Sequence, residues 1–453
     1  MFWKSIKALS FFLFIATVPV SSSAESLSET LRDAYKTSGL LDQNRALLRA
    51  ADEDVSASIA LLRPVINWSS TYSYSGASTS DKTSLSANLG ANWLLYDFGR
   101  SKIKQKALKE TVLATRQSLI SIEQDVLMRA VSAHMNYRRT VEFALLRTAN
   151  YELIAQELKA AKDRFDVGEV TRTDVALAEA RLASAGAGLA AAEGDKSRAS
   201  TEFQAVTGRL PINLETPDQL PMLPESADLG IAQARVHDPN LKRVQHTVAA
   251  AELNLKNAMA ADQFSISGSA GLVVNDSGSG LSESVSVTAS GPIYSGGSIA
   301  SGERAAMARR DSARAQLYVV LQNMEQNVRN SFASFDVSRA SGLASERQVN
   351  AAEVAFRGVR EEASLGARTT LDVLNAEQEL LDAKASRISA NIDEQIAAYA
   401  VLASIGKLTA SSLNLGIKTY DPTEYYKLVE SAPRSNSEQG NALDKLLKTL
   451  IGK

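Results

Sequence analysis

The sequence predicts an α+β membrane protein, internally duplicated, in which each copy supplies two amphipathic strands and helices far longer than usual. Three observations carry this. From Arg100 to Val167 there is neither proline nor glycine, room for a helix of ~100 Å at about 1.5 Å per residue. Four short segments alternate apolar residues with Ser, Thr, Asn and Gly, the period of a strand. Finally, the chain matches itself at a constant offset of 198 residues: Tyr96 with Tyr294, Gly99 with Gly297, Gly168 with Gly366, Asp174 with Asp372, Glu179 with Glu377 and Gly208 with Gly406.

Residues 1–24 read as a signal peptide. Lys4 and Lys7 precede an apolar core at 11–18, and Ser22, Ser23 and Ala24 offer small residues for cleavage. No later stretch reads as about 18 consecutive apolar residues, so a membrane crossing falls to the strands. Copy one, 25–208, contains a helix at 27–63 ended by Pro64, strands at 65–75 and 84–96, a long helix at 100–167 and a helix at 171–207. A linker at 209–225 holds four of the ten prolines. Copy two, 226–410, has strands at 263–274 and 283–294, a long helix at 299–365 and a helix at 369–405. A C-terminal segment and tail, 411–453, follow. Residues 435–453 are polar, then weakly amphipathic through Leu443, Leu446, Leu447, Leu450 and Ile451.

In the first hairpin, Ile66, Trp68, Tyr72 and Tyr74 alternate with Asn67, Ser69, Thr71 and Ser73. Leu85, Ala87, Leu89, Ala91, Trp93 and Leu95 then alternate with Ser86, Asn88, Gly90 and Asn92. The second hairpin repeats the design with Phe264, Ile266, Ala270 and Leu272, then Val285, Val287, Ala289 and Ile293. Strands of about ten residues suit a tilted bilayer crossing. Ile66, Trp68, Tyr72, Tyr74, Leu89, Trp93, Phe264, Ile266, Val285 and Val287 are therefore expected to face lipid. A soluble sheet with one dry face has the same alternation. Opposite faces almost free of charge favour a wet lumen instead. Four strands leave two open edges, and unpaired backbone in hydrocarbon costs several kcal/mol per group. The smallest bacterial barrels have about eight strands, so several chains are needed. Three would give a 12-stranded β-barrel continued by a long α-helical barrel.

Little chemistry is on offer. The formal net charge of −2 and the pI near 6.1 give no basic face for nucleic acid. No cysteine is present, and His134, His237 and His246 match no metal-ligand spacing. Neither a Gly-Lys-Ser/Thr phosphate loop nor a nucleophile elbow occurs. The expectation is no enzyme, no cofactor and no metal.

The segments Arg164–Val175 and Ala363–Asn375, together with Tyr96-Asp-Phe-Gly-Arg100 and Leu415–Pro422, resemble the motifs of the TolC family, in the same order over essentially the whole mature chain. The resemblance implies a homotrimeric channel in the outer membrane of a Gram-negative bacterium, with a long periplasmic extension. Such channels serve as the exit duct of a tripartite type I secretion or multidrug efflux system. Its implied partners are a periplasmic adaptor (membrane fusion) protein, an inner-membrane transporter of ABC or RND type, and outer-membrane lipid. The turns Val167-Gly168-Glu169 and Leu365-Gly366-Ala367 would then be the adaptor-docking tips. Asp174, Arg368, Asp372 and Asn375 would line the periplasmic aperture, with Arg368 and Asp174 pairing neighbouring hairpins. Thr171 with Asp174, and Thr369 with Asp372, also fit a helix capping box, and one carboxylate can do both. The family often carries a second acid where this chain has Asn375, which weakens the expectation of divalent-cation blockade. The rival reading is an exported stalk or adhesin-like interaction protein with the strands as a soluble head.

Overall fold

A computed structural model describes residues 25–77, 80–217, 219–275 and 280–451; the expected signal peptide lies outside them. The order is α1 (Leu27–Thr37), α2 (Gly39–Ala60), β1 (Val65–Ala77), β2 (Ser80–Tyr96), α3 (Arg100–Asp166) and α4 (Arg172–Thr207). There follow α5 (Ala227–His237), α6 (Pro239–Met259), β3 (Ser265–Asn275), β4 (Gly280–Ser290), α7 (Ser298–Ser364), α8 (Thr370–Ser404), α9 (Pro422–Val429) and α10 (Glu438–Ile451). The two long helices, α3 and α7, are each 67 residues.

Several boundaries depart from the expectation for identifiable reasons. The helix expected over 27–63 is two helices. Ser38 takes an extended conformation, and its hydroxyl accepts from the Leu41 N–H at 3.3 Å, restarting the chain as α2. Asp238 does the same between α5 and α6, with Pro239 in the first turn. Helices α5 and α6 stand where the repeat order puts one helix before the strands of copy two, divided as α1 and α2 are in copy one. The first hairpin runs through Ala77 and from Ser80, consuming much of the segment expected to be loop. In the second, β4 occupies Gly280–Ser290 rather than 283–294, because Pro292 cannot donate to a ladder. Ile293 consequently lies beyond the strand, fully exposed. Phe264 precedes β3 and is not a strand residue. One 18-residue window of the Ala-rich α4 reaches a mean hydropathy of 1.2, yet the helix holds no run of 18 consecutive apolar residues.

The strands form one antiparallel sheet in the order β1-β2-β3-β4, so β1 and β4 are its edges. The helices pack as pairs, α3 along α4 and α7 along α8, while α2 and α6 flank the upper parts of the long helices. Most of the core gathers where the shorter helices meet end to end. Leu31, Leu127, Val131, Met135, Val328, Phe332, Val401 and Ile405 belong to that single cluster. At one joint Thr37 donates to the Val206 carbonyl at 3.2 Å, and Gly208 closes α4 with φ +79°. At the other, Gly406 has φ +78° and sits so close that an added Cβ would lie 2.6 Å from the His237 backbone. Toward the tips the clusters shrink to Leu158, Ala161 and Ala178, and to Val349, Ala352 and Ala383. Alanine there lets the helices approach closely.

Candidate channel wall and aperture

The pairing register sorts the sheet into two faces. Ile66 pairs with Ala91, Ala91 with Ala270 and Ala270 with Val285; in the next row Trp68, Leu89 and Leu272 align with Glu283. Tyr72, Leu85, Val274, Leu281, Ile266 and Val287 complete this apolar face. Much of it is bare: Trp68 is 79% and Val285 81% exposed. Glu283 places a charge on it. The opposite face carries Asn67, Ser69, Thr71, Asn88, Gly90, Gly271, Ser284 and Thr288. Hydroxyls join across it, Ser73 to Ser84 and Ser269 to Ser286, both at 2.7 Å. A sheet with one apolar and one hydroxyl-lined face, open at both edges, has the two-sided character of a wall between lipid and water.

Two residues expected to face lipid have further jobs. Trp93 lies over Gly268 across the ladder, where a Cβ would come within 2.5 Å of the indole. Phe264 packs edge-on against Phe98, centroids 4.8 Å apart, and Phe98 in turn against Tyr96. This aromatic knot sits where sheet becomes helix. A register shift between Leu94 and Tyr96 turns the chain there.

At the far end each hairpin turns on a glycine. Gly168 has φ +80° and Gly366 +78°, the left-handed conformation that follows a helix C-terminus. The Glu169 and Ala367 N–H groups reach back to the Arg164 and Glu362 carbonyls, each at 2.9 Å. Val167 and Leu365 are left bare, at 71% and 85% exposure. Next comes a complete capping box in each hairpin. The Thr171 N–H donates to Asp174 Oδ2 at 2.9 Å, and the Asp174 N–H to the Thr171 hydroxyl at 3.3 Å. The Thr369–Asp372 box repeats this at 3.0 and 3.2 Å. Hydrogen bonds from Thr171 and Thr369 hold both carboxyls below the usual carboxylate range.

Within one chain the expected Arg368–Asp174 pair is absent among the described residues. Arg368 binds Glu362 of its own hairpin at 2.8 Å, and Asp174 is occupied by its cap. Asn375 accepts from Arg181 at 3.2 Å, bridging α8 to α4. That contact belongs to a polar seam between the hairpins that sequence reading missed. Asn150 donates to Glu377 at 2.8 Å, Arg360 meets Glu157 at 3.4 Å, and Arg139 pairs with Asp393. Its partners lie up to 254 residues apart; the one available signal was Glu377 standing at an anchor of the repeat. Two of the three histidines tie elements together. Buried His134 bonds Thr30 at 2.8 Å and donates to the Glu215 carbonyl at 2.9 Å, fixing the linker; burial pulls its pKa down. His246 meets Glu110 at 2.8 Å.

This architecture defines a class: a membrane wall element on a long helical extension. The profile of the outer membrane efflux protein family matches the chain twice, over residues 30–209 and 230–407. The chain belongs to that family. Over 414 residues it is 33% identical to the outer membrane efflux protein BepC of Brucella suis, covering 90% of this chain and 91% of the relative. It is 26% identical over 419 residues to the outer membrane protein TolC of Escherichia coli, covering 86% and 84%. The crystal structure of the Campylobacter jejuni CmeC outer membrane channel shares the fold, with a TM-score of 0.77 at 15% identity and 90% coverage of both chains. The protein is thus an outer-membrane channel of the efflux and type I secretion kind, carrying a long periplasmic helical portion and acting as a passive conduit rather than an enzyme.

Proposed function

We propose that three copies join edge to edge, β4 of one pairing with β1 of the next, into a 12-stranded β-barrel. The paired helices then continue as a hollow periplasmic tube that serves as the exit duct. The single observation behind this reading is the four-stranded sheet with two unpaired edges and one bare apolar face. An open edge in hydrocarbon is prohibitive, and pairing between copies satisfies every edge at once. The tips Val167-Gly168-Glu169 and Leu365-Gly366-Ala367 are the docking surface for the adaptor, offering bare apolar side chains on rigid turns. An inner-membrane transporter of ABC or RND type would complete the assembly and set the cargo.

In the assembled ring, Asp174, Arg368, Asp372 and Asn375 border the aperture. Arg368 lies at the surface, so exchanging Glu362 for Asp174 on an adjacent hairpin costs little, because water screens both pairs. Closure would then be the sum of several weak contacts. Arg368→Ala and Asp174→Ala are each expected to raise single-channel conductance in planar bilayers. Unchanged conductance in both would reject this gate.

A further inference from the structure

The seam between the hairpins holds a carboxyl group for which neither the sheet nor the tip gives a reason. Glu377 lies on α8, 4% exposed. Its Oε1 accepts from Asn150 on α3, while its Oε2, also buried, has no hydrogen-bond partner. Charged groups face it from each packed helix: Glu157 on α3, Arg181 on α4 and Arg360 on α7. Both cations are engaged elsewhere, Arg360 with Glu157 and Arg181 with Asn375. A buried carboxylate with one neutral donor is costly, and the protonated acid much less so. The equivalent acid of the first repeat, Glu179, is half exposed and salt-bridged to Lys162 at 2.9 Å.

We propose that Glu377 is a proton-operated latch between the two helical hairpins of a subunit. Neutral, it lets α8 seat against α3. On losing its proton it drives the α7–α8 hairpin away from α3–α4, toward water, and so favours the open aperture. The inference rests on the tips being the gate.

The direction with pH follows from burial, which pushes Glu377 up to about 7 from an ordinary 4.5. If separation hydrates the group, the closed arrangement binds the proton more tightly. Its advantage is complete below about pH 4.5 and is lost as pH rises to about 7, by roughly tenfold per pH unit. The tip carboxyls cannot produce this window, since both titrate below the usual carboxylate range. No histidine lies on α7 or α8.

The chain has no cysteine, so V167C and L365C place clean spin labels on the two tips of the full-length, detergent-purified assembly. Pulsed dipolar distances at pH 5 and pH 8 are expected to show a separated population at least tenfold larger at pH 8. E377Q should hold the pH 5 distribution at both pH values. Asn150→Leu, which removes only the donor, should move the midpoint to higher pH. Both variants following the parent's pH response, or a parent with no response, overturns the latch. Bilayer conductance of R368A at pH 5 tests the gate separately: a rise there, with E377Q still following the parent's pH response, would reject the latch and leave the gate standing.

Discussion

The two repeats are built to one plan, yet they bury their charge at opposite ends. In the first, Asp52 on α2 is fully buried, neither oxygen has a hydrogen-bond partner, and Arg116 stands 3.8 Å away. At the offset of 198 the second repeat has Ala250 in that place, also buried. There Arg314, the counterpart of Arg116, makes a surface pair with Glu252 at 2.7 Å. Near the tips the pattern inverts: Glu179 of the first repeat is at the surface and Glu377 of the second is inside. Duplication thus fixed the lengths, the turns and the caps. The buried carboxyls were free to diverge, one against the C-terminal segment and one between the hairpins.

Substitutions at matched positions put this contrast to the test. The largest difference is expected at the end-to-end joints. Gly406→Ala puts a Cβ against the His237 backbone at 2.6 Å, whereas Gly208→Ala meets only the Thr37 side chain at 3.2 Å. Both incur the left-handed backbone penalty, of order 1 kcal/mol. Gly406→Ala adds a clash with atoms that cannot rotate away, and should cost about 2 kcal/mol more. Thermal unfolding of the two assemblies compares them directly.

Asp52→Asn comes next. Burial pushes Asp52 up to about 6 from 3.8, so the folded state binds its proton more tightly than the unfolded chain. Stability from this group is full below about pH 3.8 and is lost by about pH 6. The substitution should therefore stabilise by about 1–2 kcal/mol at pH 8 and change little at pH 4, in melts run at both. The caps should behave alike in both repeats: Thr171→Ala and Thr369→Ala each cost about 1 kcal/mol, and unequal losses would mean that one tip bears more load. Smallest of all, Glu179→Gln breaks an exposed pair and should shift stability by less than about 1 kcal/mol.

What the sequence revealed and what it hid divide along sequence separation. The long helices, both tip turns and both capping boxes were legible, because each rests on residues within four of one another. The strand faces were legible too, since alternation survives small errors in the ends. Phe264 shows the limit: it has the right parity, yet an aromatic contact with Phe98 holds it outside the ladder. The break at Ser38 was marked only by the short Ser38-Gly39 signal, which the helical pattern on both sides outweighed. The inter-hairpin seam was hidden because Asn150, Glu157, Glu377 and Arg360 look like ordinary solvent-facing polar residues until α3 and α8 are brought together.

A subunit that is one third of a hollow wall is expected to purify as a trimer. Light scattering with refractive-index detection on the full-length protein in detergent measures the polypeptide mass of the complex directly. Three copies of the chain, with the signal removed, are predicted. A uniform species of a single polypeptide, silent in lipid bilayers, would contradict the account.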